Sequence, residues 1–244
     1  MKKIGVITDV HGNLPALVAV LQLLDSEGCC EIIHTGDVVD IGPNSCECLD
    51  LLLSRNDVTC LLGNHDRDFA TNQTQVRNLS HVPEEHKRQV FATLTEEQRM
   101  RVSQFPLYTV RHCGKSKLMF AHYALAPGAN SLKSQLFMPL QMTPTAQAFD
   151  EIFEGVDADA VFFGHKHEPC DIVGKRLYVD VGSVGCHPEP NARAIVIEYD
   201  DESWSYRRVC TPYDLETTRR HMTNQISCGE QLYDFYFLLN TKNK

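Results

Sequence analysis

Apolar and polar positions alternate along this chain with two distinct periods. Lys3 to Thr8, Glu31 to Thr35 and Val58 to Leu62 are short apolar runs with the length of buried strands. After the first, Leu14, Leu17, Val18, Leu21 and Leu24 recur at helical spacing and predict a helix from Leu14 to about Glu27. Asn13 is placed as its N-cap, and Pro15 falls in the first turn, where proline is tolerated. Pro43 opens a second helix to about Ser54. This β-α-β-α-β order predicts parallel strands joined by right-handed crossovers.

Residues 66–106 are polar and helical in pattern. Thr95-Glu96-Glu97-Gln98 reads as a capping box, starting a helix that stops before Pro106. The segment is expected to be a helical insertion lying near the functional site. Leu107 to His112 and Lys117 to Ala121 predict a hairpin turning at Cys113-Gly114. Ala126 to Met142 lacks periodicity and reads as a lid or a loop. Thr143-Pro144 is expected to start a helix to about Glu154, followed by strands at Ala158 to Phe163, Arg176 to Val181, Ala192 to Tyr199 and Ser203 to Cys210. Thr211-Pro212 then caps a helix to about His221, and Leu232 to Leu239 forms a last apolar helix. Without an internal repeat, linker or low-complexity segment, one α/β domain spanning residues 1–244 is expected.

Composition narrows the function classes. The 23 basic and 32 acidic side chains leave a net charge of −9. That surface disfavours general binding to nucleic acid or anionic membrane, while a small anionic substrate in a metal-lined cleft is still permitted. The ten cysteines show no Cys-x-x-Cys pair. The amino terminus enters a strand directly, without a signal-peptide pattern, and no run of about 18 apolar residues suits a membrane span. A cytoplasmic chain with reduced thiols is therefore expected.

Five polar blocks sit at or near the ends of apolar runs: Asp9-Val10-His11, Gly36-Asp37, Gly63-Asn64-His65-Asp66, His122 and Gly164-His165-Lys166-His167. Ligands of open α/β sheets collect beyond the carboxyl ends of strands. Each block alone suits a turn or a core histidine, but together they point to one metal site around Asp37. Carboxylate with imidazole suits manganese, iron, zinc or nickel and disfavours calcium. His81 and His86 lack a zinc-protease pattern and are expected at the surface. The aromatic cluster Tyr233, Phe235, Tyr236 and Phe237 is expected to pack on the domain, with a homodimer contact as the alternative. No nucleophile elbow, Walker loop or dinucleotide fingerprint is present.

In that order the blocks resemble the calcineurin-like metallophosphoesterases, whose pattern is Asp-x-His, Gly-Asp, Gly-Asn-His-Asp/Glu, His and Gly-His-x-His. The likeness covers roughly residues 4–200. Asp9-Val10-His11-Gly12-Asn13, Gly42-Pro43 and Val181-Gly182-Ser183-Val184-Gly185 look like the small bacterial branch of phosphodiesterases and diadenosine tetraphosphate hydrolases. The resemblance implies a four-layer α/β/β/α sandwich and two divalent transition-metal ions, manganese foremost, with iron, zinc or nickel as alternatives. It implies Asp9, His11, Asp37 and His167 on one ion and Asp37, Asn64, His122 and His165 on the other, with Asp37 bridging. It further implies in-line attack on a phosphodiester, nucleotide or dinucleoside polyphosphate by a metal-bridging hydroxide. A phosphomonoesterase or a non-catalytic scaffold of the same fold is the alternative. His65 would serve the leaving group as acid, and Asp40 resembles its partner aspartate in the phosphoprotein-phosphatase branch, a turn aspartate being the plainer reading. That branch carries an arginine where this chain has Ile41, which argues against a protein Ser/Thr phosphatase. Asn13, His187 and Arg193 are candidate substrate contacts, against a helix cap for Asn13 and surface roles for the other two.

Overall fold

The structure is a computed structural model that describes residues 1–74, 82–226 and 228–238. Strands β1 (Lys2–Ile7), β2 (Glu31–His34) and β3 (Val58–Cys60) pair in parallel, as the β-α-β-α-β pattern predicts. Helices α1 (Leu14–Ser26) and α2 (Ser45–Leu53) form the crossovers. Asn13 caps α1, its side chain accepting the Ala16 N–H. After α3 (Asn64–Ala70), α4 (Glu84–Ala92) and α5 (Glu96–Val102) comes the antiparallel hairpin of β4 (Tyr108–Cys113) and β5 (Ser116–Ala121). Thr95 and Gln98 close the expected capping box on α5. Helix α6 (Ala146–Ile152) precedes β6 (Ala160–Phe163), β7 (Cys170–Val173) and β8 (Leu177–Asp180). The chain closes with β9 (Asn191–Tyr199), β10 (Trp204–Pro212), α7 (Leu215–Gln225) and α8 (Gly229–Tyr233).

The strands build two five-stranded sheets, ordered β10-β9-β1-β2-β3 and β4-β5-β6-β8-β7. Because strand side chains alternate between faces, each sheet supplies two apolar surfaces. Ile4, Val6, Ile33, Ile195 and Ile197 of the first sheet meet Leu118, Phe120, Phe162 and Val179 of the second. One residue along, Ile32 and Val196 turn outward to Leu17, Val20 and Leu24 of α1 and Leu49 and Leu52 of α2. On the far side, Met119, Val161 and Phe163 pack against Phe149 of α6. The result is the four-layer α/β/β/α sandwich.

Several boundaries differ from the sequence pattern. The helix after Pro43 begins at Ser45, and the one after Thr143-Pro144 begins at Ala146 with Thr145 as its cap. Thr211 and Pro212 extend β10 at the sheet edge, where a missing N–H is tolerated, and Asp214 caps α7 instead. Strand β7 has no apolar run to announce it: Asp171 and Val173 on one of its faces are exposed. The apolar run from Leu232 divides between α8 and a wider π-type turn at Asp234–Leu238; Leu239 lies outside the described residues. Tyr233 and Phe237 are buried against Met222 and Leu232 of their own chain. All ten cysteines are unbridged. No helix among the described residues is long and apolar enough to cross a membrane.

Candidate metal centre

The carboxyl ends of β1, β2, β5 and β6 open onto one edge of the sandwich, and there the backbone takes an uncommon form. Asp9, His11, Asp37, Asp40, Ile41, His165 and His167 all have positive φ, between 48° and 78°. Asp and His tolerate the left-handed region better than most residues, whereas a β-branched Ile41 is a true outlier there. Such strain, about 1–3 kcal/mol per residue, persists only where surrounding bonds over-determine it. Those bonds are present. The His11 N–H donates to the Asp37 carbonyl at 3.0 Å and the Gly12 N–H to the Val38 carbonyl at 2.8 Å, locking the first two loops together. The Asp40 N–H donates to Ser45 Oγ, and the Ile41 N–H to Asp40 Oδ1.

Asp66 is the clamp of this edge. Its Oδ2 accepts the N–H groups of Asp37 (2.7 Å) and Gly63 (3.1 Å), and its Oδ1 those of Val38 (2.9 Å) and Val39 (3.3 Å). Burial and the nearby Asp37 charge push the Asp66 carboxyl up to about 6, while these N–H groups act to lower it. Gly63 is the only kind of residue that fits beside it, since a Cβ there would sit 2.1 Å from Asp37 Oδ1.

Held in this way, the side chains of the five blocks converge. Around Asp9, His11 Nε2 and His167 Nε2 are 3.1 Å apart, at 3.5 and 3.2 Å from Asp9 Oδ1. Around His122, its Nε2 lies 2.9 Å from Asn64 Oδ1 and 3.1 Å from His165 Nδ1. Asp37 Oδ2 stands between the two sets, 3.8 Å from His11 Nε2 and 3.3 Å from His122 Nε2. Donors about 2.1 Å from one first-row ion lie about 3 Å apart when cis in an octahedron, and slightly farther apart in a tetrahedron. Asp9 Oδ1 is buried without a hydrogen-bond partner, a costly state for a carboxylate oxygen unless a cation meets it. The donor set therefore fits divalent transition metals on both sides of Asp37.

Among the described residues, His65 stands beside these donors. Its N–H donates to Asp37 Oδ1 at 2.8 Å, and its Nδ1 pairs with Asp40 Oδ2 at 2.7 Å. Burial works to lower the His65 pKa, but the Asp37 and Asp40 carboxylates outweigh it and hold it above the ordinary histidine value. Behind Asp40, His86 Nε2 approaches Oδ1 at 3.5 Å and Lys87 Nζ approaches Oδ2 at 3.5 Å; Lys87 also pairs with Asp68 at 2.8 Å. His86 is thus fully buried, not at the surface as its spacing suggested. It and Lys87 share the inward face of α4 with Val90 and Phe91, a polar stretch that disguised the buried side. His81 lies outside the described residues.

The electrostatics give a measurable consequence. In the metal-free chain burial acts to lower the His122 pKa, yet Asp37, with Asp9 and Asp66, raises it to about 9. His165, buried beside it, is held down to about 3 and is already neutral. His122 must therefore shed a proton before its Nε2 can ligate. Metal affinity is expected to rise about tenfold per pH unit up to about 9, with one proton released, read by titration calorimetry in buffers of differing ionisation enthalpy. The sign for stability follows. A raised histidine pKa stabilises the metal-free fold fully below 6.5, and that contribution disappears as pH rises through about 9. Affinity independent of pH across this window would exclude a protonated His122.

Of the other residues singled out in the sequence, Asn13 is committed to structure. Its Oδ1 accepts from the Ala16 N–H and Thr218 Oγ1, and its Nδ2 donates to the Gly185 carbonyl, so the helix-cap reading describes its geometry. The Arg193 guanidinium pairs with Glu189 at 3.0 Å and donates to the Asn191 carbonyl. His187 Nδ1 accepts the Glu189 N–H, and His187 belongs to none of the donor groups. Cys186 does belong to one, with His11 and His167, and nothing in its spacing signals it. Asp66 was legible as the fourth residue of its block. The Ala126–Met142 segment forms a loop that brings Phe137 edge-on to His122, ring centroids 5.3 Å apart.

Comparison with known proteins identifies the family and the fold. A family model described as calcineurin-like phosphoesterase matches residues 2–169. An uncharacterized protein of Methanocaldococcus jannaschii is 45% identical over 65 residues, a match spanning 26% of this chain and 26% of that protein's length. A metallophosphoesterase structure from Sphaerobacter thermophilus is 22% identical, with 91% of this chain and 93% of that one covered at a TM-score of 0.69. A hypothetical protein from Pyrococcus horikoshii superposes with a TM-score of 0.75 at 19% identity, covering 97% and 98% of the two chains. At these identities the two structures establish the shared fold.

Proposed function

The chain belongs to the calcineurin-like phosphoesterase family of metal-dependent phosphoric-ester hydrolases, and from that premise we propose that it uses two divalent ions to hydrolyse a small phosphodiester, nucleotide or dinucleoside polyphosphate. The observation that carries the reading is Asp37, one carboxylate within 4 Å of imidazole nitrogens on both sides. Asp9, His11, Asp37 and His167 would hold one ion, and Asp37, Asn64, His122 and His165 the other. When bound, such ions supply Lewis acidity toward phosphoryl oxygens and make water a stronger nucleophile near neutral pH. The Asp37 charge offsets the repulsion between two neighbouring cations.

His65 is assigned the proton for the leaving oxygen, delivered from Nε2 because Nδ1 is engaged by Asp40. Asp40 keeps that imidazole oriented and charged. Asp40→Asn is expected to lower kcat on the order of tenfold and to move the alkaline limb of the pH profile to lower pH, with both metals retained. The direction follows from Asp40 raising the His65 pKa: a weaker hold loses the acid's proton sooner as pH rises. A pH–kcat profile superimposable on the wild type's would remove Asp40 from the mechanism.

Ile41 is buried in an apolar cluster with Val82 and Cys186, so the side chain after Asp40 offers no cation to a phosphoprotein. This supports a small soluble substrate. The deciding experiment compares turnover of a matched phosphomonoester, phosphodiester and diadenosine tetraphosphate by the metal-loaded protein. Diester or dinucleotide turnover supports the proposal. Turnover of the monoester alone moves the assignment to phosphatase, and no turnover with both metals bound points to a binding scaffold.

A further inference from the structure

The Cys186 thiol has no counterpart in the carboxylate, imidazole and amide set described above, yet it sits against that set. Its sulfur and one ring nitrogen each of His11 and His167 all lie within 4.8 Å of one another. The position is rigidly tied to the first ligand of the site. The Cys186 N–H donates to Ser183 Oγ at 2.8 Å, and that hydroxyl donates to the carbonyl of Asp9 at 2.8 Å. The Gly185 N–H reaches the same carbonyl at 3.0 Å, and the Val184 N–H donates to Thr8. A Cβ on residue 185 would fall 1.8 Å from the Val10 carbonyl oxygen, so the turn can press against this strand end only as glycine.

Independently of the thiol, Asp9 Oδ1 is buried without a hydrogen-bond partner and lies 3.2 Å from His167 Nε2. A cation is therefore needed beside His167, one of the two imidazoles grouped with the cysteine. Sulfur binds zinc at about 2.3 Å and imidazole nitrogen at about 2.1 Å, so sulfur and nitrogen across one octahedral ion are about 4.4 Å apart. The separations among these three atoms, none above 4.8 Å, are compatible with that span. Ile41 and Val82, with Tyr236 packed on them, cover the thiol with apolar surface, which favours an anionic sulfur only when a cation shares the site.

We propose that Cys186 is an additional ligand of the ion held by Asp9, His11 and His167, and that it biases this position toward zinc, iron or cobalt over manganese. The inference rests on the two-metal reading above. Its chemistry is that of softness: thiolate prefers borderline ions, whereas a site of carboxylate and amide oxygen is hospitable to manganese. The two sides of Asp37 then differ in preference, and the ion on the Asn64 and His122 side lacks the thiolate.

The test loads the full-length protein with cobalt(II) and records binding stoichiometry together with the near-ultraviolet spectrum. Two ions with a thiolate-to-cobalt charge-transfer band are expected, the band vanishing in Cys186→Ser and in Cys186→Ala. Zinc–manganese competition should show the zinc preference falling tenfold or more in Cys186→Ser. On the unmutated protein, zinc X-ray absorption should contain a sulfur shell, a measurement that does not depend on either variant folding. Two bound ions without the band, a band that survives both substitutions, or a zinc shell of nitrogen and oxygen alone would each overturn the proposal while leaving the two-metal reading intact. Fewer than two bound ions would overturn both.

Discussion

Asp37→Asn is expected to lower turnover by about 10³-fold or more and to reduce bound metal from two ions per chain to at most one. The magnitude reflects loss of an electrostatic arrangement made for the transition state. The substitution is chosen because it is nearly isosteric. Asparagine Oδ1 can still accept the His65 N–H that Asp37 Oδ1 accepts at 2.8 Å, so the α3 end should stay in place. The Nδ2 group would then occupy the position of Oδ2, which lies 3.8 Å from His11 Nε2 and 3.3 Å from His122 Nε2. A donor amide there neither ligates nor offsets the charge of neighbouring cations. Elemental analysis and initial rates on the best substrate read both effects. A variant that keeps two ions and a tenth of its activity would show that Asp37 does not bridge.

The second large effect is one of stability. Asp66→Ala is expected to destabilise the fold by about 4 kcal/mol and to lower the melting temperature by roughly 10 °C for a chain of this size. Four backbone N–H groups, those of Asp37, Val38, Val39 and Gly63, lose their acceptor in a buried place. The first three belong to a loop that also carries the positive φ values of Asp37, Asp40 and Ile41, so it has strain to release once the clamp is gone. Asp66→Asn, which keeps one of the two acceptor oxygens, should fall between. Calorimetric melting of the three proteins without added metal separates this effect from ligand loss. A melting temperature for Asp66→Ala within 2 °C of wild type, roughly 1 kcal/mol or less at this size, would falsify the clamp.

The sandwich and the site edge were legible because both rest on short-range pattern. Strands buried on both faces read as apolar runs, and α1 read as a helix because its cap, its proline and its inward leucines all agree. The convergence of the five polar blocks was legible because Asp, His and Asn at strand ends have few structural uses in such number. What escaped was set by tertiary context. Strand β7 has an exposed face and borrows its order from β8, its antiparallel neighbour. His86 and Lys87 look like solvated helix residues until α4 turns them toward Asp40 and Asp68. Cys186 follows a glycine turn whose purpose, a close pass over Val10, cannot be read from residues 182–186 alone. The unusual backbone of the five candidate donors with positive φ is likewise invisible in sequence, although Asp and His are side chains that permit it.

The donors around Asp37 come from both sheets: Asp9, His11 and Asn64 from the ends of one, His122, His165 and His167 from the ends of the other. One imidazole pair that meets across the sheets, His11 and His167, is separated by 156 positions in the chain. Contacts of that span form late in folding, because the entropy of closing so long a loop must be met first. A half-assembled chain therefore has no site to fill, and ions would bind only after the two sheets have met. Their effect should then be kinetic and one-sided: added metal prolongs the lifetime of the native state by slowing unfolding, while the refolding rate stays where it was.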